Sequence, residues 1–338
     1  MPELGWGMIG IGGFLTGTIA PAMTAEPHCR IVAATSRDLS RASEFASKFD
    51  VPNAYDNYEA MLADPAVDAV YIATPNALHP EQVIAAARAG KHVYCDKPIA
   101  TNAAAAEAAV RACLEAGVYL GVNFHNRFLP WVQDVTAMIA SGELGDVQMV
   151  ELDVGSGPRH YTNWRADPAL AGLGSVHNVG VHPLDFLRVM LNAEPVEVAT
   201  MFDRGPDGHS VEMLAVILIR FDDGTLAYCN CNEKLMRPTN GIVIHGTEGR
   251  VTGTGLTRSR SAGDLTVVNG SGEATTHYPA PEAHRIAVAE FAHAVLDRRE
   301  PSPSGLDGLR SAQLCEAIGA SASARRVFGV APLPEDLT

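Results

Sequence analysis

Lys97 closes a short apolar run in KHVYCDKPIA (residues 91–100), so a strand of buried character ends by presenting Asp96, Lys97 and Pro98. An ammonium so placed can supply a positive field to an oxygen that gains charge. Proline denies the preceding lysine the helical region and favours an extended exit for it. A second group is Asn178, His182 and Asp185, spaced i, i+4 and i+7. On a helix beginning near Ser175 the three share one stripe. His182 is the residue type whose ordinary pKa suits a base near neutrality. Asp185 then either orients the imidazole or points into the interior. A third group is Gly10-Ile11-Gly12-Gly13-Phe14-Leu15, where glycines precede a helical stretch. Backbone N–H groups at such a turn approach a pyrophosphate at the helix N-terminus. Leu15 stands where that fingerprint has its third glycine, so helix and strand are expected to pack slightly further apart.

Other polar residues follow strand-like runs. Ser36 and Arg37 end the second, where an NAD-selective site offers a carboxylate for the ribose 2′-hydroxyl. A hydroxyl and a guanidinium suit a 2′-phosphate instead, so NADP(H) is expected, with NAD(H) possible. Asp38 comes one residue late, and the alternative is that Ser36 caps the next helix while Arg37 is a solvated charge. After the third run, Thr74, Pro75 and Asn76 lead to His79. Thr74 and Asn76 either hydrogen-bond the cofactor or form a turn capped at His79. Trp164 and Arg165, in NWRADP, and Arg127, in HNRFLP, are further candidates. An indole packs on a nicotinamide or sugar face, and an arginine grips hydroxyls or a carboxylate. Core packing and ion pairs are the competing roles for these three. Alone, His182 reads sooner as a satisfied core histidine and Lys97 as a solvated surface charge; the place of Lys97 at the end of a strand reverses the second reading.

The elements that must position these groups alternate strand and helix through residue 123. Strands are predicted at 6–11, 29–35, 68–74, 91–95 and 118–122, and helices at 14–25, 39–49, 57–63, 79–89 and 101–116. Short β-branched strands separated by helices imply a parallel sheet covered on both faces, a doubly wound α/β domain over residues 1–123. Beyond it the pattern changes. Strands are predicted at 147–154 and 196–202, a hairpin turning on Asp223-Gly224, and helices at 175–191, 283–298 and 305–326. Residues 124–338 therefore read as a second, α+β domain with a mostly antiparallel sheet.

Composition narrows the partners. At 338 residues the chain exceeds one ordinary core, and 47% hydrophobic with 19% charged residues is normal for a globular protein. A net charge of −14 argues against nucleic acid or an anionic membrane as partner. No run approaches the roughly 18–20 apolar residues of a membrane span. The start, MPELGWGMIGIGG, lacks a basic segment, so no signal peptide is expected and a cytoplasmic protein is. Six scattered cysteines lack zinc-site spacing, so reduced thiols and no metal are expected.

Taken in order, GIGGF, TSRDLSRASEFASKF, DAVYIATPNALHPEQ, AGKHVYCDKP, NRFLPWV with IASGELGDV, NWRADPALAGLGSVHNVGVHPLD, FDDGTLA, IHGTEGRV and GLDGLRSAQLCEAIGASA resemble the glucose–fructose oxidoreductase / inositol dehydrogenase-like (Gfo/Idh/MocA) family. The resemblance runs over almost the whole chain. It implies an N-terminal Rossmann domain and a C-terminal domain whose large sheet builds homodimers or homotetramers. It also implies a substrate that is a sugar, inositol or related polyol. The family's E-K-P motif falls on Asp96-Lys97-Pro98, whose lysine contacts the reacting hydroxyl and the nicotinamide ribose and whose Lys-Pro bond resembles a cis turn. The family's G-G-G-x-L-x-D-x-G-x-H motif falls on residues 172–182, with His182 in place and Asn178 where an aspartate is usual. In NADP-dependent relatives a Trp-Arg pair, here Trp164-Arg165, lies near the cofactor.

Hydride transfer from an alcohol carbon needs the hydroxyl proton removed as the hydride leaves. His182 would shuttle the proton, Lys97 would polarise the oxygen, and Asn178 would position the alcohol, with Arg127 as a further substrate contact. The expected protein is a dehydrogenase or reductase. Its competitors are a catalytically silent sugar or cofactor sensor and an NAD(P)-assisted lyase or glycosidase.

Overall fold

A computed structural model describes residues 2–204, 210–258 and 262–337. The chain divides into two units, Met1–Asn123 with His284–Ala312, and Phe124–Ala283 with Gln313–Thr338.

The first unit is built on β1 (Leu4–Ile9), β2 (Cys29–Thr35), β3 (Asn53–Tyr55), β4 (Ala69–Ile72), β5 (His92–Cys95) and β6 (Leu120–Val122). They form one parallel sheet in the order β3-β2-β1-β4-β5-β6. That is the doubly wound order, with the strand sequence reversing beside β1. Every residue of β1 and β4 is buried, as a sheet covered on both faces requires. Strand β3 escaped sequence analysis because three half-buried residues show no period. Helix ends follow local chemistry. Asn102 accepts from Ala105 N–H to start Ala103–Ala116, and Gly117 ends it at φ 65°.

The expected boundary, with everything after residue 123 in the second domain, needs correction. Residues 284–312 belong to the first unit. In helix Ala283–Leu296, Val288, Phe291, Ala292 and Val295 join the core of Trp6, Met8, Tyr71 and Tyr94. The Phe291 ring stacks on Tyr94 at 4.8 Å and tilts against Trp6 at 5.4 Å. Gly121 in β6 makes room, since a Cβ there would lie 2.5 Å from the Phe291 ring.

The second unit carries β7 (Val147–Gly155), β8 (Pro195–Asp203), β9 (Leu214–Phe221), β10 (Leu226–Asn232), β11 (Ile242–Gly246), β12 (Gly249–Thr254), β13 (Gly263–Asn269), β14 (Gly272–Tyr278) and β15 (Phe328–Gly329). Their order is β14-β13-β12-β11-β7-β10-β9-β8-β15. The pairings are antiparallel except that of β7 with β10. In β9 the buried Ala215, Ile217, Ile219 and Phe221 alternate with Val216, Leu218 and Arg220 on the opposite face. Helices Pro130–Ala140 and Val181–Leu191 pack together through an edge-on Trp131–Phe186 contact at 5.4 Å. The β9–β10 turn is the expected one, with Gly224 at φ 93° and Asp223 accepting from Thr225 N–H at 2.9 Å. Strand β14 was not expected, because its residues are exposed up to Tyr278 and carry no apolar alternation. Among the described residues no helix is long and apolar enough to cross a membrane.

Candidate active site

In the first unit the glycine loop leaves β1 at its carboxyl end. Gly10 has φ +88°, and a Cβ there would lie 2.7 Å from the Ala73 carbonyl carbon, so only glycine fits between β1 and the β4 exit. A Cβ on Gly13 would meet nothing within 4 Å, which leaves open space over the loop. The next residues form a π-helical turn, Leu15–Ile19, with Leu15 fully buried, and continue as Ala20–Thr24. These features fit a dinucleotide whose phosphates lie against Gly10, Gly12, Gly13 and Phe14.

At the end of β2, Ser36 is half-buried and Arg37 exposed. The cap of helix Leu39–Phe49 is Asp38, not Ser36: its carboxylate accepts from Ser40 N–H at 3.0 Å and Ser40 Oγ–H at 2.7 Å. Those bonds, the Ser40 hydroxyl first, hold the Asp38 pKa below its ordinary value. Arg41, one turn along, donates from Nη2 to the Ile11 carbonyl at 2.7 Å. A guanidinium therefore stands beside the glycine loop. Arg41 was missed in the sequence because nothing local ties it to residue 11.

His79 corrects its expected role as a cofactor contact. It is 1% exposed, with Nδ1 2.7 Å from the Pro98 carbonyl and Nε2 2.9 Å from that of Thr74. The ring thus ties the β4 exit to the β5 exit. Burial pushes its pKa down against the opposing pull of the Pro98 carbonyl and Asp96. The Thr74 hydroxyl donates to Gln82 Oε1 at 2.6 Å, Pro75 is half-buried, and Asn76 is buried in the turn. Lys97, half-buried, leaves β5 through a cis Lys97-Pro98 bond. Beside it Asp96 accepts from Asn123 Nδ2 at 3.4 Å, and burial raises the Asp96 pKa against the pull of Lys97. Asn123 is fully buried and also donates to Tyr71 Oη at 2.8 Å. Elsewhere in this unit Glu26, His28 and His293 bring ligand atoms within 4.8 Å of one another, and Arg285 stands 3.7 Å from Glu26.

In the second unit Asn178 lies in a wider turn than the expected α-helix, while His182 and Asp185 lie in the α-helix that follows. Residues Val176–Gly180 make a π-helical turn before helix Val181–Leu191, so the angular step per residue is smaller than in an α-helix. Asp185, expected either to orient His182 or to point into the interior, is paired with an arginine. It is buried and accepts from Arg127 Nε and Nη2, both at 2.6 Å. Arg127 thus takes up the ion-pair role weighed for it beside a substrate contact. The His182 ring packs edge-on against His125 at 4.4 Å and Phe124 at 6.5 Å, with its Nδ1 buried.

Asn178 meets two residues that sequence analysis did not single out. Its Nδ2 donates to Glu233 Oε1 and to Tyr161 Oη, both at 2.5 Å. Tyr161 Oη–H donates to Glu233 Oε2, and Ser156 Oγ–H to Oε1 at 2.9 Å. Burial, then the charge of Glu233, raises the Tyr161 pKa. Trp164 and Arg165 lie close by, the guanidinium 4.3 Å over the indole and its charge acting on Tyr161. The segment before Asn178 is anchored by Glu212, which accepts from Gly174 N–H at 2.7 Å and Val176 N–H at 2.9 Å.

The sequence pattern described as "Oxidoreductase family, NAD-binding Rossmann fold" matches residues 4–124, and the GFO/IDH/MocA C-terminal domain matches residues 132–252. The chain belongs to the Gfo/Idh/MocA family. It is thereby an NAD(P)-dependent dehydrogenase or reductase acting on CH–OH groups. Among similar proteins is 1,5-anhydro-D-fructose reductase of Ensifer adhaerens, 32% identical over 90% of this chain and 92% of the relative. Another is D-xylose 1-dehydrogenase (NADP(+)) 2 of Haloferax volcanii, 32% identical over 94% of this chain and 97% of the relative. The crystal structure of aldose-aldose oxidoreductase from Caulobacter crescentus complexed with glycerol superposes with a TM-score of 0.89. It is 29% identical, over 97% of this chain and 99% of that one.

Within this Gfo/Idh/MocA chain the Arg127–Asp185 pair is a buried, bidentate clamp. Asp185→Ala would leave a guanidinium without its partner carboxylate and is expected to lower stability by about 3–5 kcal/mol. Urea unfolding measures this. A stable variant with a displaced pH–rate profile would instead restore Asp185 as the partner of His182.

Proposed function

We propose that the protein is an NADP(H)-preferring oxidoreductase for a secondary alcohol or ketone of a sugar, inositol or related polyol. The observation that carries the reading is that Lys97 and the glycine loop leave the same carboxyl edge of one parallel sheet, where such sheets bind ligands. The sugar substrates named for the two relatives support the substrate class.

In this reading the dinucleotide, when bound, supplies or receives the hydride. Gly10, Gly12, Gly13, Phe14 and Leu15 bind its phosphates, with Thr74, Pro75, Asn76 and Asp96 shaping the adjoining wall; Trp164 and Arg165 are carried as cofactor contacts by the family resemblance alone. Lys97 polarises the substrate oxygen. His182 moves the proton at Nε2, since its Nδ1 is buried. Asn178 positions the alcohol. Absorbance at 340 nm, followed with a panel of sugars, inositols and keto-sugars, tests the reaction. Lys97→Met is expected to lower kcat about 10²–10³-fold, as loss of a donor to a developing anion does. Undiminished turnover by that variant would overturn the mechanism. Products formed without net cofactor change would point to an assisted lyase, and cofactor binding without turnover to a sensor.

The cofactor preference rests on Ser36, Arg37 and Arg41, with the nearby Asp38 carboxylate turned to its helix cap. An Arg37→Ala/Arg41→Ala variant is expected to raise KM for NADP about tenfold or more and leave NAD nearly unchanged. Equal effects on both cofactors, or a strong NAD preference of the wild type, would remove the assignment.

We also propose a homo-oligomer built on the open sheet face and a reducing, cytoplasmic location. Met201 is 79% and Leu218 54% exposed, with Leu226 and Met149 on the same face, an apolar surface that a second copy would cover. All six cysteines are free thiols, which supports the location. Light scattering on Leu218→Glu is expected to show a smaller particle than the wild type. A wild-type monomer would end the proposal.

A further inference from the structure

We propose that Glu233, together with Tyr161, fixes the side-chain amide of Asn178 so that its carbonyl oxygen faces substrate, making position 178 an obligatory acceptor for a substrate hydroxyl. The proposal rests on the oxidoreductase reading above and names what selects the alcohol. An asparagine can present either a donor or an acceptor, because its amide turns over at little steric cost. Here both Nδ2–H groups are claimed from one side, by Glu233 Oε1 and by Tyr161 Oη. The planar amide then carries Oδ1 away from that pair. Turning it over would set Oδ1 against a carboxylate, two acceptors without a proton between them. Asn178 is thereby made to act as one oxygen of a carboxylate would, without its charge.

Glu233 is itself tightly held. It is 1% exposed and follows the last residue of β10. Its N–H donates to the Met213 carbonyl and its carbonyl accepts from Arg159 N–H, each at 2.8 Å. Arg159 Nε in turn donates to Ser156 Oγ at 3.2 Å, continuing the chain of donors to Oε1. Charged and titratable groups acting on the pair are Glu212 and Arg258 on Glu233, and Arg159 and Arg165 on Tyr161. A carboxylate so enclosed sets the orientation of its neighbour's amide more firmly than a neutral group would. Glu233 and Tyr161 are therefore positioning residues that act through Asn178.

Exchanging the two functional groups tests this. Glu233→Gln frees the amide to turn, and kcat/KM for the substrate turned over is expected to fall about 10- to 100-fold. In Asn178→Asp two carboxylates face each other, and one holds a proton to a higher pH than usual. That variant is expected to work at low pH, where the shared proton reproduces the donor of the amide, and to lose activity in an added alkaline limb. In Asn178→Asp/Glu233→Gln the amide now carried at position 233 donates to the carboxylate now carried at position 178. Both the rate and the wild-type profile are expected to return to within about threefold. Tyr161→Phe, the mildest change, is expected to lose several-fold. Thermal unfolding of the same variants at pH 6 and pH 9 reads the 178–233 coupling without turnover: Asn178→Asp should be lowered at pH 9, and the double variant restored. Glu233→Gln within twofold of wild type, or a double variant no better than Glu233→Gln, overturns the proposal. Coupling in unfolding but not in turnover by an active enzyme also overturns it and leaves the oxidoreductase reading standing. If wild-type protein turns over nothing, that reading fails instead. Calorimetric affinity for the panel polyols then replaces kcat/KM, and variants that bind like wild type overturn the proposal.

Discussion

Glu212 is buried with its two oxygens on the backbone N–H groups of Gly174 and Val176, at the point where the chain enters the π-helical turn. Burial raises its pKa despite those two bonds, so the anion is held there at a cost that the N–H groups offset. Gly174 is part of the same constraint, since a Cβ there would lie 2.0 Å from the Glu212 carbonyl oxygen. Ser175 then donates to the Cys231 carbonyl at 3.0 Å, and Gly180 leaves space for the Cys231 sulfur. Three residues of one short segment are thus bonded to the approach of β9 and to β10. Asn178 and His182 follow from where that segment is pinned.

The segment is widest where its chemistry sits. A π-helical turn closes i to i+5, is rarer than an α-turn, and is found often at functional sites. Here it ends as the cap N–H of Val181 reaches the Val176 carbonyl. The same device recurs at Leu15–Ile19, directly after the glycine loop of the other unit. In both places a bulky or polar side chain is presented beside backbone that glycine has already brought close.

What the sequence made legible was local. Strands of apolar, β-branched residues and the Asp223-Gly224 turn each depend on neighbours within a few positions. Strand β14 lacked that signal because a polar edge strand buries almost nothing. The stripe of 178, 182 and 185 assumed an α-helix throughout, whereas its first member lies in the wider turn. Arg127 and Asp185, 58 positions apart, and Tyr161 and Glu233, 72 apart, meet through the packing of distant segments. No spacing rule reaches across such loops. The ion-pair role weighed for Arg127 was the one realised, and the carboxylate near Asn178 came from a strand end rather than from the motif itself.

The return of helix Ala283–Leu296 to the first core makes the second unit's residues 124–283 an insertion in sequence terms. During synthesis the six parallel strands are complete by Val122, yet Trp6 and Tyr94 wait for Phe291 to cover them. Vectorial emergence from a ribosome, at about 5–20 residues per second, leaves that apolar face uncovered for on the order of ten seconds or more. The nascent chain therefore carries an uncovered apolar face over just that interval, and a fragment ending at Asn123 would keep it permanently.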